Sequence, residues 1–487
     1  MNDDEQSPRQ RLSRRALVQG AAAASLGVIA TGGAMAAPAR ADSGPRIYEA
    51  EDAELTGVRV SSEGAGYSGR GFVTGFDATG DAVTFTVDAK RRGLHELRIR
   101  YRADAEKYTR LALNGEPWES IRLPESQSFT ETAAGRLMLD AGSNTVVVQS
   151  NWGYYDIDAI RLTPTRDRPR HKVRKQLVDA DASVEARALH SYLVDSYGHR
   201  ILAGQQELSA VGVVEELTGK KPAVLGLDLM RYSPTFTERE TPPPIIEDAI
   251  AWSAANGVVT FCWHWNSPIP VKPGALWYQG FYTENTDFDV EHALSHPDSA
   301  EHALLLRDID AIAVQLARLQ DNRVPVLFRP LHEAEGGWFW WGAKGPEPAK
   351  ALYRLLHERL TGQHGIHNLI WVWNSTSPDW YPGSDIVDIV SADVYEPDFN
   401  HNPLSSHHEA LVSLVDDRKL VALSENGPIP DPRLSQLYGS MWSWFNVWSA
   451  GRLTGQNSAE HVRDVYSSPY VVTHDDLPDL ASYPHPR

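Results

Sequence analysis

The sequence predicts an α/β fold in two parts: a (β/α)8 TIM barrel preceded by an all-β sandwich of jelly-roll type. Residues 46–163 contain short alternating strands separated by turns, whereas residues 176–487 alternate strand-like apolar runs with helical patterns. The apolar runs number eight, the count that closes a parallel barrel. They lie at 200–205, 223–229, 258–265, 324–331, 368–374, 386–395, 420–425 and 441–448.

Several segments between these runs carry the periodicity of amphipathic helices. The clearest is 304–319, where one apolar stripe is formed by Leu305, Ile309, Ile312, Leu316 and Leu319. A doubly wound open sheet is the alternative for alternating strands and helices. The barrel is favoured because no glycine-rich phosphate-binding loop follows the first strand.

The sandwich region has the pattern of antiparallel strands joined by tight turns. Its clearest strands are 83–87, 94–101 and 145–149, and Asn114-Gly115 is typical of a two-residue hairpin turn. Short strands over the whole of 46–163 predict a β-sandwich. A polar, charged stretch with prolines at 164–175 is expected to link the sandwich to the barrel.

The N-terminus has the pattern of a removable export signal. Arg14 and Arg15 precede a weakly apolar stretch at 20–37, and an A-x-A site ends at Ala41. This predicts a twin-arginine signal peptide over residues 1–41 and a secreted protein. The apolar stretch is short and rich in Ala and Gly, so no membrane anchor is expected.

Composition limits the partners. The net charge is −18, with 64 acidic against 46 basic residues, which argues against nucleic acid and anionic membranes. Cys262 is the only cysteine, so no internal disulfide forms, and its apolar run places it in the core. The chain is expected to be a monomer.

Charged and aromatic side chains follow several barrel strands. The fourth strand ends at His332 and Glu333 and the seventh at Glu425. Because the carboxyl ends of barrel strands meet on one face, Glu333 and Glu425 are expected to lie together. Two carboxylates in an aromatic cleft are typical of glycoside hydrolases. One carboxyl group protonates the leaving oxygen, and the other attacks the anomeric carbon or activates water. Rival acids, placed beyond or before the strand ends, are Glu335, Asp393 and Glu396.

Two other interpretations compete with a catalytic pair. A solvated Glu capping a strand accounts for Glu333 alone, but three tryptophans at 338, 340 and 341 argue for a ligand. A metal site is the other use of His264, His332 and the acids. No H-E-x-x-H or comparable ligand spacing is present, so no cofactor for catalysis is expected.

Residues from Gln176 onward resemble glycoside hydrolase family 26. The resemblance rests on R-P-L-H-E at 329–333 followed by G-G-W-F-W-W, on W-H-W at 263–265 before a long aromatic loop, and on S-E-N-G at 424–427. It implies a retaining (β/α)8 glycosidase, most often an endo-β-1,4-mannanase, whose partner is a β-mannan-type plant polysaccharide. The alternatives are the same mechanism on mixed-linkage β-glucan or β-1,3-xylan, and a non-catalytic glycan-binding protein.

The resemblance also implies roles for single residues. Glu333 would be the acid/base and Glu425 the nucleophile, while His332 would touch the sugar in the −1 subsite and Tyr395 would orient Glu425. The loop at 277–288 is expected to form a wall of the cleft. The other predicted subsite residues are His264, Trp277, Trp338, Trp448 and, second to Trp448 as the stacking residue, Trp444.

The sandwich carries acids near both of its ends. Glu49 and Glu51, two residues apart, should project to one side of a strand and could meet Asp158 around a hard cation such as Ca²⁺; a solvated strand face is the alternative. The region resembles carbohydrate-binding modules of family 35 through E-A-E at 49–51, G-Y-S-G-x-G-F-V at 66–73 and D-x-D-x-I-R-L at 156–162. This implies a structural calcium at Glu49, Glu51 and Asp158, and a glycan site at Tyr67, Asn151 and Trp152.

Overall fold

A computed structural model describes residues 44–165 and 171–486, apart from the side chain of Trp152. The predicted signal peptide lies outside these residues. Within them, no helix has the length and apolar character needed to cross a bilayer. Residues from Gly44 onward form one unit that contains both the sandwich and the barrel.

The N-terminal region is a sandwich of two antiparallel sheets, as predicted. One sheet has the order β3-β4-β11-β6-β9 with β1 paired to β11, and the other has the order β2-β5-β10-β7-β8. Inward residues alternate with outward ones, so that Val83, Phe85 and Val87 of β5 are buried between the sheets. The strands are β1 Arg46–Glu49, β2 Glu54–Thr56, β3 Arg59–Ser61, β4 Phe72–Thr74, β5 Ala82–Ala89, β6 Gly93–Ala103, β7 Lys107–Leu113, β8 Glu116–Leu123, β9 Ser126–Leu139, β10 Gly142–Trp152 and β11 Tyr155–Pro164.

The predicted hairpin turn joins β7 to β8. Asn114 and Gly115 have φ values of 52° and 87°, and left-handed backbone at both central positions is the geometry of a type I′ turn. The turn fixes the register of β8, which carries the residues that meet the barrel.

The second part is a closed parallel barrel whose eight strands confirm the eight predicted runs. The sheet runs from β13 through β19 to β12, and β12 pairs with β13 to close the ring. A short strand, β20, adds to the outside of β12. The strands are β12 Ile201–Gln206, β13 Val224–Asp228, β14 Val258–Cys262, β15 Val326–Arg329, β16 Leu369–Asn374, β17 Ile389–Val394, β18 Leu420–Asn426, β19 Trp444–Val447 and β20 Val471–Val472.

Helices surround the barrel and bury one face each against it. In α6 the predicted stripe is confirmed, since Leu305, Ile309, Ile312, Leu316 and Leu319 have no exposed surface. Cys262 is buried in β14, as expected. The helices are α1 Val184–Ser196, α2 Leu208–Thr218, α3 Pro234–Thr237, α4 Ile245–Ala254, α5 Val290–Ser295, α6 Ala300–Asp321, α7 Pro346–His357, α8 Ser405–Leu414, α9 Pro432–Tyr438, α10 Ala450–Gln456 and α11 Ala459–Tyr466.

The sandwich is joined to the barrel through β8 and β9. Glu119, which is 1% exposed, accepts hydrogen bonds from the backbone N–H groups of Ser405 and Ser406 at 2.6 and 2.9 Å. These N–H groups have no partner within the helix, because they lie at the N-terminus of α8, where the helix dipole favours a negative charge. The Ser120 N–H donates to Glu396 at 2.9 Å, so this rival acid belongs to the interface rather than to the barrel mouth. The sandwich therefore has a fixed place on the barrel.

Candidate active site

The carboxyl ends of three barrel strands bring three acids together. Glu333 follows β15, Asp393 lies near the end of β17 and Glu425 lies near the end of β18. One carboxylate oxygen of each lies within 4.8 Å of those of the other two. The two glutamates paired from the sequence thus occupy one site, and Asp393, ranked below them, is in that site as well.

Arg329 is the cation between the strands. Its guanidinium donates to Asp393 Oδ2 at 2.5 Å and to Glu425 Oε2 at 2.9 Å, and its side chain is 3% exposed. Burial alone would lower the pKa of Arg329, but the two carboxylates raise it above its ordinary value. Arg329 therefore stays charged and favours the ionised form of both carboxyls, against the burial that raises the pKa of each.

Glu425 is surrounded by hydrogen-bond donors. The Tyr395 hydroxyl donates to Glu425 Oε1 while Arg329 holds the other oxygen. Burial, followed by the negative charge of Asp393, raises the pKa of Glu425, whereas Arg329 and Tyr395 act in the opposite direction. Two donors thus stabilise the carboxylate form of Glu425.

Glu333 is held by its backbone and by one indole. Its φ and ψ are 54° and 25°, a left-handed conformation that costs a non-glycine residue about 1–3 kcal/mol. The Glu333 N–H donates to Asn374 Oδ1 at 2.8 Å, and Trp338 Nε1 donates to Glu333 Oε2 at 3.0 Å. Burial and then Asp393 raise the pKa of Glu333, so its carboxyl tends to retain a proton.

A chain of three side chains stands beside the acids. His264 Nδ1 lies 2.6 Å from Asp228 Oδ2, and His264 Nε2 lies 3.2 Å from His332 Nε2. Burial, together with His264 and Arg329, lowers the pKa of His332 well below its ordinary value. His332 is therefore neutral and Asp228 sets the orientation of His264.

Aromatic side chains form the wall of the cleft. Trp448 lies 5.6 Å from His264 between ring centroids, and both line a cavity of about 490 Å³ together with Phe281 and Tyr282. The last two come from the loop that was expected to form a wall. Trp338, 49% exposed, presents its ring to solvent next to Glu333.

Four tryptophans lie elsewhere. Trp444 has no exposed surface and lies in the barrel core, so its prediction as a stacking residue is wrong. It occupies the first position of β19, whereas the cleft begins only beyond the last position, where Trp448 stands. Trp277 is half-buried and packs on Phe236 at 4.9 Å. Trp340 and Trp341, undecided from the sequence, are fully buried.

Sequence reasoning missed three residues that organise this site, namely Arg329, Asn374 and Asp228. Arg329 stands inside the motif that was quoted, and Asn374 ends the fifth strand. Asp228 ends the second strand, where an acid at a carboxyl end was an available signal. Each acts on a residue from another strand, which the sequence alone does not specify.

The sandwich acids cluster, though not as the sequence suggested. β1 ends at Glu49 and residues 50–52 form a 3-10 turn, so Glu49 and Glu51 do not share a strand face as predicted. Ser68 Oγ donates to Glu49 Oε2 at 2.7 Å, and Arg70 N donates to Glu51 Oε1 at 2.5 Å.

Among the described residues, the negative charge of this acid cluster is balanced by a cation at Asp158 but not at Glu49 and Glu51. Glu51 Oε2 is buried without a hydrogen-bond partner among the described residues. Burial and the neighbouring acids raise the pKa of Glu49. Arg100 Nε donates to Asp158 Oδ2 at 2.5 Å and neutralises that residue. The oxygens of Glu49 and Glu51 fit a cation, whereas Asp158 already has one.

The predicted glycan residues lie on different parts of the sandwich, with Tyr67 in the loop before β4 and Asn151 on β10. Tyr67 packs against Phe72 of β4 with ring centroids 5.7 Å apart, and Asn151 is exposed on β10. The side chain of Trp152 lies outside the described part of the chain.

Comparisons with known proteins agree with this architecture. The chain matches Glycosyl hydrolase family 26 over residues 178–476 and Carbohydrate binding module (family 35) over residues 46–165. A mannan endo-1,4-beta-mannosidase of Thermothelomyces thermophilus is 48% identical over 92% of this chain and 94% of that protein. Mannan endo-1,4-beta-mannosidase A of Piromyces sp is 32% identical over 89% of this chain and 73% of that protein.

The fold is shared with solved structures. The crystal structure of the Podospora anserina GH26-CBM35 beta-(1,4)-mannanase has a TM-score of 0.66 at 48% identity and covers 90% of this chain and 100% of that chain. The family match extends over more than half of the chain, and the relatives are similar over nearly its whole length. The chain therefore belongs to glycosyl hydrolase family 26, and it is a glycoside hydrolase with an N-terminal carbohydrate-binding module of family 35.

Proposed function

We propose that the protein is a retaining endo-β-1,4-mannanase with Glu333 as acid/base and Glu425 as nucleophile. One observation carries the mechanism: oxygens of the two carboxyl groups lie within 4.8 Å of each other. Retaining enzymes hold their carboxyls about 5–5.5 Å apart, whereas inverting enzymes need about 6.5–9.5 Å to admit a water.

The reaction proceeds in two displacements. Glu425 attacks the anomeric carbon as Glu333 gives its proton to the leaving oxygen, so that a glycosyl ester forms on Glu425 and the glycosidic bond breaks. Glu333, now ionised, then takes a proton from water, and the resulting hydroxide replaces Glu425. Both glutamates return to their starting protonation states.

The proton must begin on Glu333, and the charges around the site support that placement. If Glu333, Asp393 and Glu425 were all ionised beside Arg329, the buried site would carry two uncompensated negative charges. One carboxyl therefore keeps its proton. Glu425 is stabilised as a carboxylate by Arg329 and Tyr395, whereas Glu333 accepts only the indole N–H of Trp338 among the residues that the structure describes.

The substrate class follows from the relatives. The curated proteins from Thermothelomyces and Piromyces, both similar over most of their length, are named mannan endo-1,4-beta-mannosidases. We therefore propose β-mannan, galactomannan and glucomannan as substrates, with mixed-linkage β-glucan and β-1,3-xylan as alternatives. The test is release of reducing ends from mannan, lichenan and β-1,3-xylan. Activity on lichenan or xylan in preference to mannan would overturn the assignment.

Two measurements test the mechanism. The first products should have the β-anomeric configuration of the substrate when observed by NMR before mutarotation, and α-products would exclude retention. Glu425→Ala should remove nearly all turnover while the circular dichroism spectrum is unchanged. Wild-type turnover in this variant would overturn the nucleophile assignment.

We further propose that the sandwich holds the enzyme on mannan through a surface that includes Tyr67, Asn151 and Trp152. We also propose that Glu49 and Glu51 bind a structural calcium beside Asp158. A calcium ion would satisfy the partnerless Glu51 oxygen and offset the repulsion between the acids. Adding EDTA should lower the melting temperature of the wild type, and Glu51→Gln should remove that calcium dependence. A melting temperature insensitive to calcium would contradict this site.

Residues 1–41 are proposed to direct export by the twin-arginine route, so that the mature monomer begins at Asp42. N-terminal sequencing and light scattering of the secreted protein test both points. An N-terminus at Met1 in the culture medium, or a dimeric mass, would contradict them.

A further inference from the structure

The turn that follows Glu333 is reached by a side chain of the sandwich. This turn, residues 334–337 (the acid-side turn), directly follows Glu333 and ends at Gly337, and both of these residues have a left-handed backbone conformation. Glu335 is its one ionisable side chain. Arg122 of β8 forms an ion pair with Glu335, its Nη2 lying 3.8 Å from Glu335 Oε2.

Both partners are held from their own side. Ser375 Oγ, following β16, donates to Glu335 Oε2 at 2.6 Å. Arg122 Nε and Nη2 both donate to Glu106 Oε2, at 2.8 and 2.5 Å, within the sandwich. The exposed fractions of the Arg122 and Glu335 side chains are 18% and 23%, so water screens the pair less than it would a surface ion pair.

The acid-side turn needs support because its backbone is strained. Leu331, Glu333 and Gly337 all have positive φ values, and two of these residues carry a Cβ. Such conformations persist only where the surroundings fix them. On the barrel side, Thr283 Oγ1 donates to the Gly337 carbonyl at 2.8 Å and Ser375 holds Glu335. The sandwich supplies the only charged partner of Glu335 that is described.

We propose that Arg122 is a positioning residue of the catalytic centre, which attracts Glu335 electrostatically and thereby fixes the acid-side turn that aims Glu333 at the leaving oxygen. The sandwich then completes the acid side of the active site in addition to binding glycan. This inference rests on the proposed role of Glu333 as acid/base. The negative charge of Glu335 also raises the pKa of Glu333, so a displaced turn changes both the aim and the acidity of that group.

A test that separates positioning from stability compares two leaving groups. In a 2,4-dinitrophenyl β-mannobioside, the 2,4-dinitrophenolate leaving group departs without protonation. In manno-oligosaccharides, the leaving sugar oxygen needs the proton of Glu333. The ratio kcat/KM reports the steps up to cleavage of the glycosidic bond. Arg122→Met should lower kcat/KM for mannopentaose about 10- to 100-fold, because a small misplacement of a catalytic group has effects of this size. It should change the value for the activated substrate less than about twofold.

The controls use the same interface. Arg136, whose Nε lies 3.3 Å from Glu409, joins the sandwich to α8 away from the acid-side turn. Arg136→Met should therefore leave kcat/KM unchanged for both mannopentaose and the activated substrate. Arg122→Lys should restore part of the mannopentaose activity. If Arg122→Met does not fold, Glu335→Gln leaves the sandwich intact and should show the same selective loss. The double variant, Arg122→Met with Glu335→Gln, should be no less active than either single variant, because both substitutions remove the same Arg122–Glu335 interaction.

Failure of this inference and failure of the proposed function give different results. Glu333→Gln should itself be selective for the poor leaving group, and an equal loss on both substrates would overturn the acid/base assignment. If Glu333→Gln is selective but Arg122→Met and Glu335→Gln are not, or if their losses add, the positioning role of Arg122 is wrong.

Discussion

The Tyr395 hydroxyl donates a hydrogen bond to the carboxylate of Glu425, and this contact joins a residue after β17 to the end of β18. Arg329, from β15, holds the other oxygen of the same carboxylate. Donors from two other strands therefore stabilise the ionised form of a group whose burial favours the protonated form. The proposed nucleophile depends on both donors.

Tyr395→Phe should shift the acidic limb of the pH profile to higher pH. The hydroxyl lowers the pKa of Glu425, so its removal raises that pKa, and more alkaline conditions are needed to ionise the nucleophile. Loss of one such donor should also lower kcat about 100-fold. The measurement is kcat/KM against pH on mannopentaose. An unchanged acidic limb would contradict the role of Tyr395.

Trp338→Phe should act on the opposite limb. Its indole N–H stabilises the ionised form of Glu333, so its removal raises the pKa of Glu333 and the basic limb should move to higher pH. The bond is partly exposed to water, and the shift should be below about one pH unit. Phe keeps an aromatic face for the sugar, which separates this effect from stacking. Movement of the basic limb to lower pH would contradict the assignment of Glu333 as the acid.

The sequence was sufficient to place the barrel strands and the two glutamates. Strands of a barrel are apolar runs between amphipathic helices, and acids at their carboxyl ends share one face, so Glu333 and Glu425 could be paired across 92 residues. Their helpers were not accessible in this way. Arg329 and Asp228 act through partners on other strands, and nothing local in the sequence names those partners.

The errors have the same origin. Alternation along a strand places Trp442, Trp444 and Trp448 on one side but does not say where the cleft begins, and only Trp448 reaches it. Glu49 and Glu51 were assumed to continue one strand, but β1 ends between them. Contacts such as Arg122–Glu335 join the two folded parts, and local patterns carry no information about them.

Asp228→Asn should impair the site through His264. Asp228 accepts from His264 Nδ1 at 2.6 Å and from the His264 backbone N–H at 3.1 Å. A charge-assisted hydrogen bond contributes about 1.5–3 kcal/mol, so kcat/KM should fall about 10- to 100-fold. Asp310→Asn is the matched control, because Asp310 also lies 2.6 Å from a histidine, His364, but outside the cleft. An equal effect in both variants would show that the Asp228–His264 contact has no special part in activity.

Glu119→Gln should weaken the attachment of the sandwich to the barrel while leaving catalysis intact. Gln keeps one acceptor oxygen, but its amide N–H₂ would face Ser405 or Ser406, whose N–H groups both now donate to the carboxylate. Leaving a buried donor unpaired costs about 1–3 kcal/mol, and loss of the charge removes its favourable interaction with the dipole of α8. We expect a lower melting temperature and faster cleavage of residues 164–175 by protease, with kcat on mannopentaose within about twofold of wild type. Glu116→Gln, at the exposed start of the same strand, is the control and should change none of these. If the two variants melt at the same temperature, Glu119 does not hold the two parts together.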